Sequence, residues 1–407
     1  MPARSKVFAF FGGALLLFAI TAPFLWLKLS YDYNLGQVTA HFSAVKGVKF
    51  FLDLTPIFAT GLLVAGFWIL PRSWRARISP PAAWTHRAKQ AAFQPWFQPA
   101  LFLLVLNMAF WLDFNSLSVA IFVGLCMIQA LGLNIAIGMT GLLVLGYAAF
   151  YAMGGYTFAI LQRYLPGLSW WSALPIAFLV GGAAGWVVGL PCLRLRGDYL
   201  AIVTLGFGES FRELMRNLPE ITGGDKGLIV PAHAKIKALG SLNQIQVTYL
   251  VVVCFVFLAV YAGIRIYRSW IGRAWIAIRE DEIAAAAMGI PVVRMKLLAF
   301  ALSASFASVA GVLYVGYSGF INPEACTFES SVMILAMVIL GGLGSIPGVL
   351  LGAALLYLIP TLMRDYLPAI ADYRLLLFGI IMVLMMIFRP QGLLGSRRHQ
   401  LEIQPDA

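Results

Sequence analysis

The chain has 407 residues, of which 61% are hydrophobic and 11% are charged. Soluble domains are typically about 45–50% apolar and about 25% charged, so this composition excludes a water-soluble protein. The formal net charge is +12. The basic residues lie in short loops between apolar runs and form no basic helix, which argues against nucleic-acid binding and is typical of a membrane protein.

Two apolar runs come first in the chain. Residues 7–27 carry no charge, and we interpret them as a retained helix because the run is long and no small-residue cleavage site follows it. Residues 50–70 form the second predicted span. The loop 71–89 contains five basic residues and no acidic one, which predicts that it lies in the cytoplasm.

Further apolar segments follow, most of them close to the 20 or so residues that cross a bilayer. They are 99–112, 117–138, 140–161, 171–190, 199–216, 247–264, 297–317, 330–360 and 373–388. The run 330–360 is too long for one helix and is divided at its glycines into two spans. The sequence therefore predicts an all-α, polytopic transmembrane helical bundle with ten to twelve membrane segments and both termini in the cytoplasm.

A polar segment, 272–289, separates two of these spans. Ala284–Ala287 favour helix, and Gly289 with Pro291 forms a stop signal, so the segment predicts one short amphipathic helix. Such a helix can dock into a groove on a partner, or it can lie at the membrane surface as a solvated connector. The residues alone leave both interpretations open.

Charges and glycines mark two other regions. Glutamates and arginines spaced three and four residues apart predict ion pairs on one helix face near a segment end; they are Glu209, Arg212, Glu213 and Arg216. Glycine-rich stretches at 140–156 and 340–352 indicate either broken helices around a substrate path or close helix packing. The candidate path residues are Gly141, Gly146, Gly154, Gly155, Gly341, Gly342 and Gly344.

Several kinds of site are missing from the sequence. It has no phosphate-binding loop, no metal spacing among its four histidines and no nucleophile–base arrangement. No cofactor or metal site is therefore predicted in this chain, and it is not predicted to be an enzyme. The mid-membrane carboxylate or histidine relay expected of an ion-coupled secondary carrier is also absent.

The segment Gly272–Gly289 resembles the coupling segment of binding-protein-dependent ABC permeases of the branched-chain amino acid (LivM-type) family. Other motifs resemble the same family and occur in the same order. They are Thr140–Tyr156, Leu193–Glu209, Ile221–Gly224, Ile339–Gly344 and Phe388–Leu394. The resemblance covers roughly residues 115–395. The pair Asp225–Lys226 departs from the family pattern at a place that bears on contact with a binding protein.

The resemblance implies an ABC importer permease fold over residues 96–395, with a coupling helix at 272–290. A two-helix extension, 1–95, precedes this domain, and a cytoplasmic tail, 396–407, follows it. The resemblance also implies a bacterial inner-membrane complex in which the chain pairs with a second permease subunit. Two separate ATPase subunits bind and hydrolyse ATP, and a periplasmic binding protein delivers leucine, isoleucine or valine.

By motif matching, one set of residues is expected to couple the chain to the ATPases. These residues are Gly272, Arg273, Ala277, Arg279, Glu280, Ala284, Ala285 and Gly289. Permeases of this kind also carry urea, amides and other amino acids, so those substrates stand as alternatives. An ion-coupled carrier and a non-transporting membrane scaffold or enzyme are alternatives of a different class.

Overall fold

The computed structural model describes residues 27–32, 37–42, 114–165, 170–192, 198–230, 244–366, 379, 392 and 393. The chain divides into two compact units, residues 1–101 with 363–370 and residues 102–362 with 371–407. In the first unit, β1 (Leu27–Asp32) and β2 (Gln37–Phe42) form an antiparallel hairpin with Leu27 opposite Phe42. The sequence did not predict these strands. Several predicted features lie outside the described residues: the helix 7–27 apart from Leu27, the helix 50–70, the loop 71–89 and the boundary near residue 95.

Eleven α-helices lie among the described residues of the larger unit, the last of them extending a few residues beyond it. They are α1 (Phe114–Asn134), α2 (Tyr147–Tyr164), α3 (Trp170–Cys192), α4 (Asp198–Arg216), α5 (Pro219–Thr222), α6 (Gln244–Arg268), α7 (Trp270–Glu280), α8 (Glu282–Ala287), α9 (Val292–Ser318), α10 (Phe328–Gly341) and α11 (Ile346–Tyr366). A π-helical turn, Ile135–Met139, extends α1. Two short strands, β3 (Leu228–Ile229) and β4 (Phe320–Ile321), pair antiparallel.

Four helices of the described ranges are long and apolar enough to cross a membrane. They are Phe114–Met139, Trp170–Pro191, Gln244–Arg268 and Val292–Ser318. Each coincides with a span predicted from the sequence. The run 330–360 is also divided as predicted, because α10 ends at Gly341 and α11 begins at Ile346.

The helices α3 and α9 run antiparallel and define the two ends of the bundle. The Trp170 indole donates a hydrogen bond to the Val312 carbonyl at 3.2 Å, whereas Gly189 near the other end of α3 packs against Leu297. We call the end that carries residues 269–291 the lower end. The end that carries residues 217–230 is called the upper end.

Small residues bring α9 into close contact with its neighbours. The Ser305 hydroxyl donates a hydrogen bond to the Phe178 carbonyl of α3 at 2.9 Å, and the Ser308 hydroxyl donates one to the Phe150 carbonyl of α2, also at 2.9 Å. Small residues and interhelical hydrogen bonds are the usual means of helix association in membranes, where burial of apolar surface contributes little. The helices α2, α3 and α9 therefore form a closely packed unit that extends between the two ends.

Candidate functional site

The predicted coupling helix is two helices in the structure, α7 and α8, separated at Asp281. The backbone of Asp281 is extended, and its carboxylate accepts hydrogen bonds from the amides of Ile283 at 2.8 Å and Ala284 at 3.0 Å. Aspartate is among the preferred residues for this N-cap position because it satisfies amides that have no partner within the helix. The single helix expected from the sequence is therefore corrected to a helix–cap–helix arrangement.

Both helices are fixed to the lower end of α9. Trp275 of α7 is fully buried, and its indole donates a hydrogen bond to the Met295 carbonyl at 2.8 Å. Lys296 forms an ion pair with Glu282 of α8 at 2.7 Å, and its side chain is only 10% exposed. A charge paired at such low exposure is screened less by solvent than a surface pair. A buried indole and a partly buried ion pair therefore attach α7 and α8 to α9.

Arg279 points toward the bundle. Its Nη1 donates a hydrogen bond to the Gly138 carbonyl of the π-helical turn at 2.6 Å. The Gly344 amide, in the break between α10 and α11, donates a hydrogen bond to Asn134 Oδ1 at 2.9 Å. We call Asn134, Gly138, Arg279 and Gly344 the lower junction. It joins the coupling segment to two non-α-helical breaks, a connection that the sequence did not predict.

The remaining predicted coupling residues divide between an exposed face and a buried one. Arg273, Glu280, Ala284 and Gly289 are exposed, Ala277 is half-buried, and Gly272 and Ala285 are buried. Two large apolar side chains that the motif did not single out also lie on the exposed face, with Ile283 73% and Met288 83% exposed. We call the exposed residues between Glu280 and Gly289 the docking face. It combines acidic and apolar side chains.

Gly289 ends α8 in a left-handed conformation, with φ of 82°. The Ile290 amide donates a hydrogen bond to the Ala285 carbonyl at 3.1 Å, and the Gly289 amide donates one to the Ala286 carbonyl at 3.0 Å. This is the Schellman pattern, in which a residue with positive φ closes the last turn. Nothing lies within 4 Å of the position that a β-carbon at Gly289 would occupy. The backbone angle alone therefore requires glycine here.

The seven candidate path glycines fall into two groups. Gly141, Gly342 and Gly344 lie at chain breaks and have positive φ. The other four are buried where another part of the same chain leaves no room for a β-carbon; they are Gly146 against Thr204, Gly154 against Ser308, Gly155 against Ile321 and Gly341 against Gly348. The interpretation as broken helices therefore describes the first group, and the interpretation as close packing describes the second. That these glycines line a substrate path stays a prediction.

Motifs far apart in the sequence pack together in pairs. The Leu145 amide, in the stretch Thr140–Tyr156, donates a hydrogen bond to Thr204 Oγ1 of α4 at 3.0 Å. The Leu393 amide donates one to the Leu340 carbonyl at the end of α10 at 2.8 Å. The conformation of the glycine breaks is thus tied to α4 and to the C-terminal motif.

At the upper end, the charges of α4 form a network. The predicted pairs are present, with Arg212 to Glu209 at 2.9 Å and Arg216 to Glu213 at 3.1 Å. Glu324 contacts both arginines, at 3.5 Å and 2.8 Å. Asp225 lies 3.0 Å from Arg216. The sequence did not indicate Glu324, because pairing of β3 with β4 brings it to α4 from more than a hundred positions away.

Cys326 follows Glu324 in the same turn and is buried. Burial raises the pKa of its thiol to about 12. The thiol is therefore protonated near neutral pH, whereas the thiolate is the form that acts as nucleophile or metal ligand. Cys326 is accordingly a small packing residue.

Comparison with known proteins gives a consistent result. A family model described as "Branched-chain amino acid transport system / permease component" matches residues 115–386. The high-affinity branched-chain amino acid transport system permease protein LivM of Salmonella typhimurium is 43% identical over 333 residues, which are 76% of this chain and 77% of that protein. The LivM protein of Escherichia coli is 43% identical over 336 residues, 77% and 78% of the two chains.

A second permease of Escherichia coli, LivH of the high-affinity branched-chain amino acid transport system, is also similar. It is 26% identical over 282 residues, which are 65% of this chain and 90% of LivH. No solved structure matches the chain significantly.

Proposed function

We propose that this chain, which belongs to the family of permease components of branched-chain amino acid transport systems, is the membrane-spanning subunit of an ATP-driven importer of leucine, isoleucine and valine. The observation that carries this proposal is the similarity to two LivM proteins over most of both chains. The names of those proteins specify high-affinity branched-chain amino acid transport. No part of the proposal requires a cofactor in this chain.

The docking face is proposed to bind an ATPase subunit, which holds the ATP. Two features support this role: the face projects from the bundle with Ile283 and Met288 exposed, and α7 and α8 are fixed to α9 by Trp275 and by the Lys296–Glu282 pair. An apolar helix face that is firmly attached can enter a groove on a partner and transmit its movement as a rigid body.

The lower junction is proposed to carry that movement to the breaks in the helices. Arg279 is part of α7, and it holds the carbonyl of Gly138 at the end of α1. When the ATPases close, displacement of α7 would pull on the turn at Gly138 and, through Asn134, on Gly344. Broken helices can change direction at low cost, since their backbone groups at the break are not committed to a helix.

Charge and the relatives support the orientation and partners proposed for this chain. Basic residues cluster at the lower end, which supports a cytoplasmic position for it; they are Arg265, Arg268, Arg273 and Arg294. The upper end would then face a periplasmic binding protein across the bacterial inner membrane, with the N- and C-termini in the cytoplasm. Escherichia coli has both LivM and LivH, each similar to this chain, which supports pairing with a second permease subunit.

The first test is uptake of radiolabelled leucine by cells that lack only this chain. We expect ATP-dependent leucine uptake to be lost and to return when the chain is restored. Alanine and urea are measured in parallel, because related permeases carry other small solutes. ATP depletion is compared with an uncoupler, since an ion-coupled carrier depends on the ion gradient.

Each outcome of this experiment is distinct. The proposal is supported if cells without the chain lose leucine uptake and if uptake by normal cells depends on ATP and not on the ion gradient. Unchanged leucine uptake with loss of alanine or urea uptake would keep the permease class and change the substrate. Uptake that follows the ion gradient would contradict the ABC mechanism.

A further inference from the structure

Helix α4 crosses the bundle from the lower end to the upper end beside α2. It has 19 residues, which corresponds to about 28 Å and matches a hydrocarbon core about 30 Å thick. Toward the bundle, Thr204 accepts a hydrogen bond from Leu145, and Phe207 stacks on Phe150 with 5.3 Å between ring centroids. One face of α4 is therefore buried, and the opposite face is exposed along its length.

The exposed face of α4 is apolar in its lower half and carries Ser210 and Glu213 beside Leu214 in its upper half. Its residues recur at helical spacing; they are Tyr199, Ile202, Val203, Gly206, Ser210, Glu213 and Leu214. Glu209 adjoins this face with its side chain 37% exposed. A hydroxyl and carboxylates thus follow one another along a face that no other described element covers.

The neighbouring helix α3 has an exposed face of the opposite character. Its large exposed side chains are all apolar: Trp171, Ile176, Phe178, Leu179, Val180, Trp186, Val187 and Leu190. Such a face suits contact with lipid tails. The face of α4 does not, because charged side chains within a membrane are costly unless they face a partner or a water-filled cavity. The two helices therefore meet different surroundings.

Positive and negative side chains alternate beside this face. Arg212 lies between two carboxylates, Glu209 at 2.9 Å and Glu324 at 3.5 Å. Its side chain is 21% exposed, and its Nε has no hydrogen-bond partner among the described residues. The guanidinium is thus partly exposed between two carboxylates, whereas its unpaired Nε is itself buried, so an anion would be bound by its Nη atoms.

We propose that the exposed face of α4 lines the upper part of a water-filled translocation path, in which Arg212, Glu209 and Glu324 bind the carboxylate and ammonium groups of a zwitterionic amino acid. The identity of the solute rests on the proposed function, whereas the lining of the path does not. The site is distinct from the glycines expected to line the path.

The chemistry of a zwitterion fits this arrangement. An amino acid carries a carboxylate and an ammonium group close together, and burial of either charge without a partner is costly. The Arg212 guanidinium can donate hydrogen bonds to both oxygens of the carboxylate, replacing the 3.5 Å contact to Glu324. The ammonium can then pair with Glu209 or with Glu324, which keeps its 2.8 Å contact to Arg216, so each charge has a partner throughout.

Cysteine accessibility tests the lining. The four native cysteines are replaced by alanine, and single cysteines are introduced as Gly206→Cys and Ser210→Cys on α4 and as Leu179→Cys and Val187→Cys on α3. Nothing lies within 4 Å of a β-carbon at Gly206, and serine and cysteine have similar shapes, so both α4 variants should fold. The assembled complex in membranes is treated with a membrane-impermeant, cationic methanethiosulfonate.

We expect the α4 cysteines to react at least about tenfold faster than the α3 cysteines, because a thiol against lipid has a raised pKa and little thiolate. Equally slow reaction at all four positions would overturn the proposal and place α4 against lipid or another chain. If the α4 cysteines react faster than the α3 cysteines but the complex does not transport leucine, the proposed function fails while the lining of the path stands.

Protection of the Ser210→Cys thiol from labelling tests whether the site binds a zwitterion. Leucine is compared with leucinamide, which has only the ammonium group, and with 4-methylpentanoate, which has only the carboxylate. We expect leucine to slow the labelling and each single-charge analogue to leave it unchanged at the same concentration. Equal protection by leucine and by either analogue would overturn the assignment of both charges to the site.

Discussion

At the residue scale, the same residue type has different reasons for its position. Gly289 is required by its backbone angle, since φ is 82° and a β-carbon would meet nothing. Gly154 is required by packing, because Ser308 leaves no room beside it. The sequence displays both simply as glycine, and only the three-dimensional surroundings separate them.

The first residue-scale prediction compares Gly289→Ala with Gly206→Ala. Neither new methyl group meets an atom within 4 Å, but only Gly289 has a left-handed backbone, which costs an alanine roughly 1–2 kcal/mol. We expect hydrogen exchange of peptides covering residues 282–291 to accelerate at least about fivefold in Gly289→Ala. The control substitution lies in a regular helix and should leave exchange of α4 unchanged or slower.

A second prediction concerns Arg279, whose charged hydrogen bond to Gly138 joins the coupling segment to α1. A hydrogen bond of this kind contributes about 1.5–3 kcal/mol, so we expect Arg279→Gln to lower leucine transported per ATP hydrolysed by about tenfold. The ATPases should still copurify, because Arg279 is not on the docking face. Arg294→Gln is the matched control, since this exposed arginine lies at the same end of the bundle and is not among the predicted coupling residues.

An unchanged transport-to-hydrolysis ratio in Arg279→Gln would show that the lower junction does not transmit the movement. Loss of ATPase copurification in the same variant would instead mean that Arg279 contributes to docking, as the motif alone suggested.

At the element scale, the break between α7 and α8 gives α8 a capped first turn of its own. The extended backbone of Asp281 ends α7, and its carboxylate caps α8, in which Ala285 is buried and Ile283 is 73% exposed. The cap could have been found in the sequence, because aspartate before a run of helix formers is an N-terminal signal. The strong helix preference of the four alanines concealed it.

The element-scale prediction tests docking with Glu280→Lys. This exposed carboxylate lies at the end of α7 on the docking face, so reversal of its charge should reduce copurification of the ATPases while membrane insertion stays normal. Glu220→Lys makes the same change at an exposed site of the upper end and should leave copurification intact. Normal ATPase recovery with Glu280→Lys would contradict the assignment of the docking face.

At the scale of the whole molecule, contacts run from α7 of the coupling segment to α4. Arg279 holds Gly138, the chain continues through the glycine break to Leu145, and Leu145 is bonded to Thr204 of α4. The exposed face of α4 with its upper ion pairs lies on the same helix. The elements proposed to receive the ATPase movement and to contact the solute are therefore joined by hydrogen bonds and a short stretch of backbone.

Features that can be read from consecutive residues predicted the class of the protein and much of its layout. Long apolar runs predicted the four membrane-length helices and the division of 330–360, since hydrophobic length is read directly from consecutive residues. Its motifs indicated the family. Local spacing also predicted the pairs Glu209–Arg212 and Glu213–Arg216, which lie within one turn of α4.

The directions of the functional side chains depend on contacts between distant parts of the chain, which the sequence does not reveal. Arg279 could not be assigned to Gly138 from the sequence because 141 positions separate them, and the same holds for Glu324 and Arg212. Helical periodicity describes one element at a time, and it gives a face but not the neighbour of that face. Packing of α4 at the side of α2, with the face that carries Ser210 and Glu213 left open, is a property of the assembled bundle.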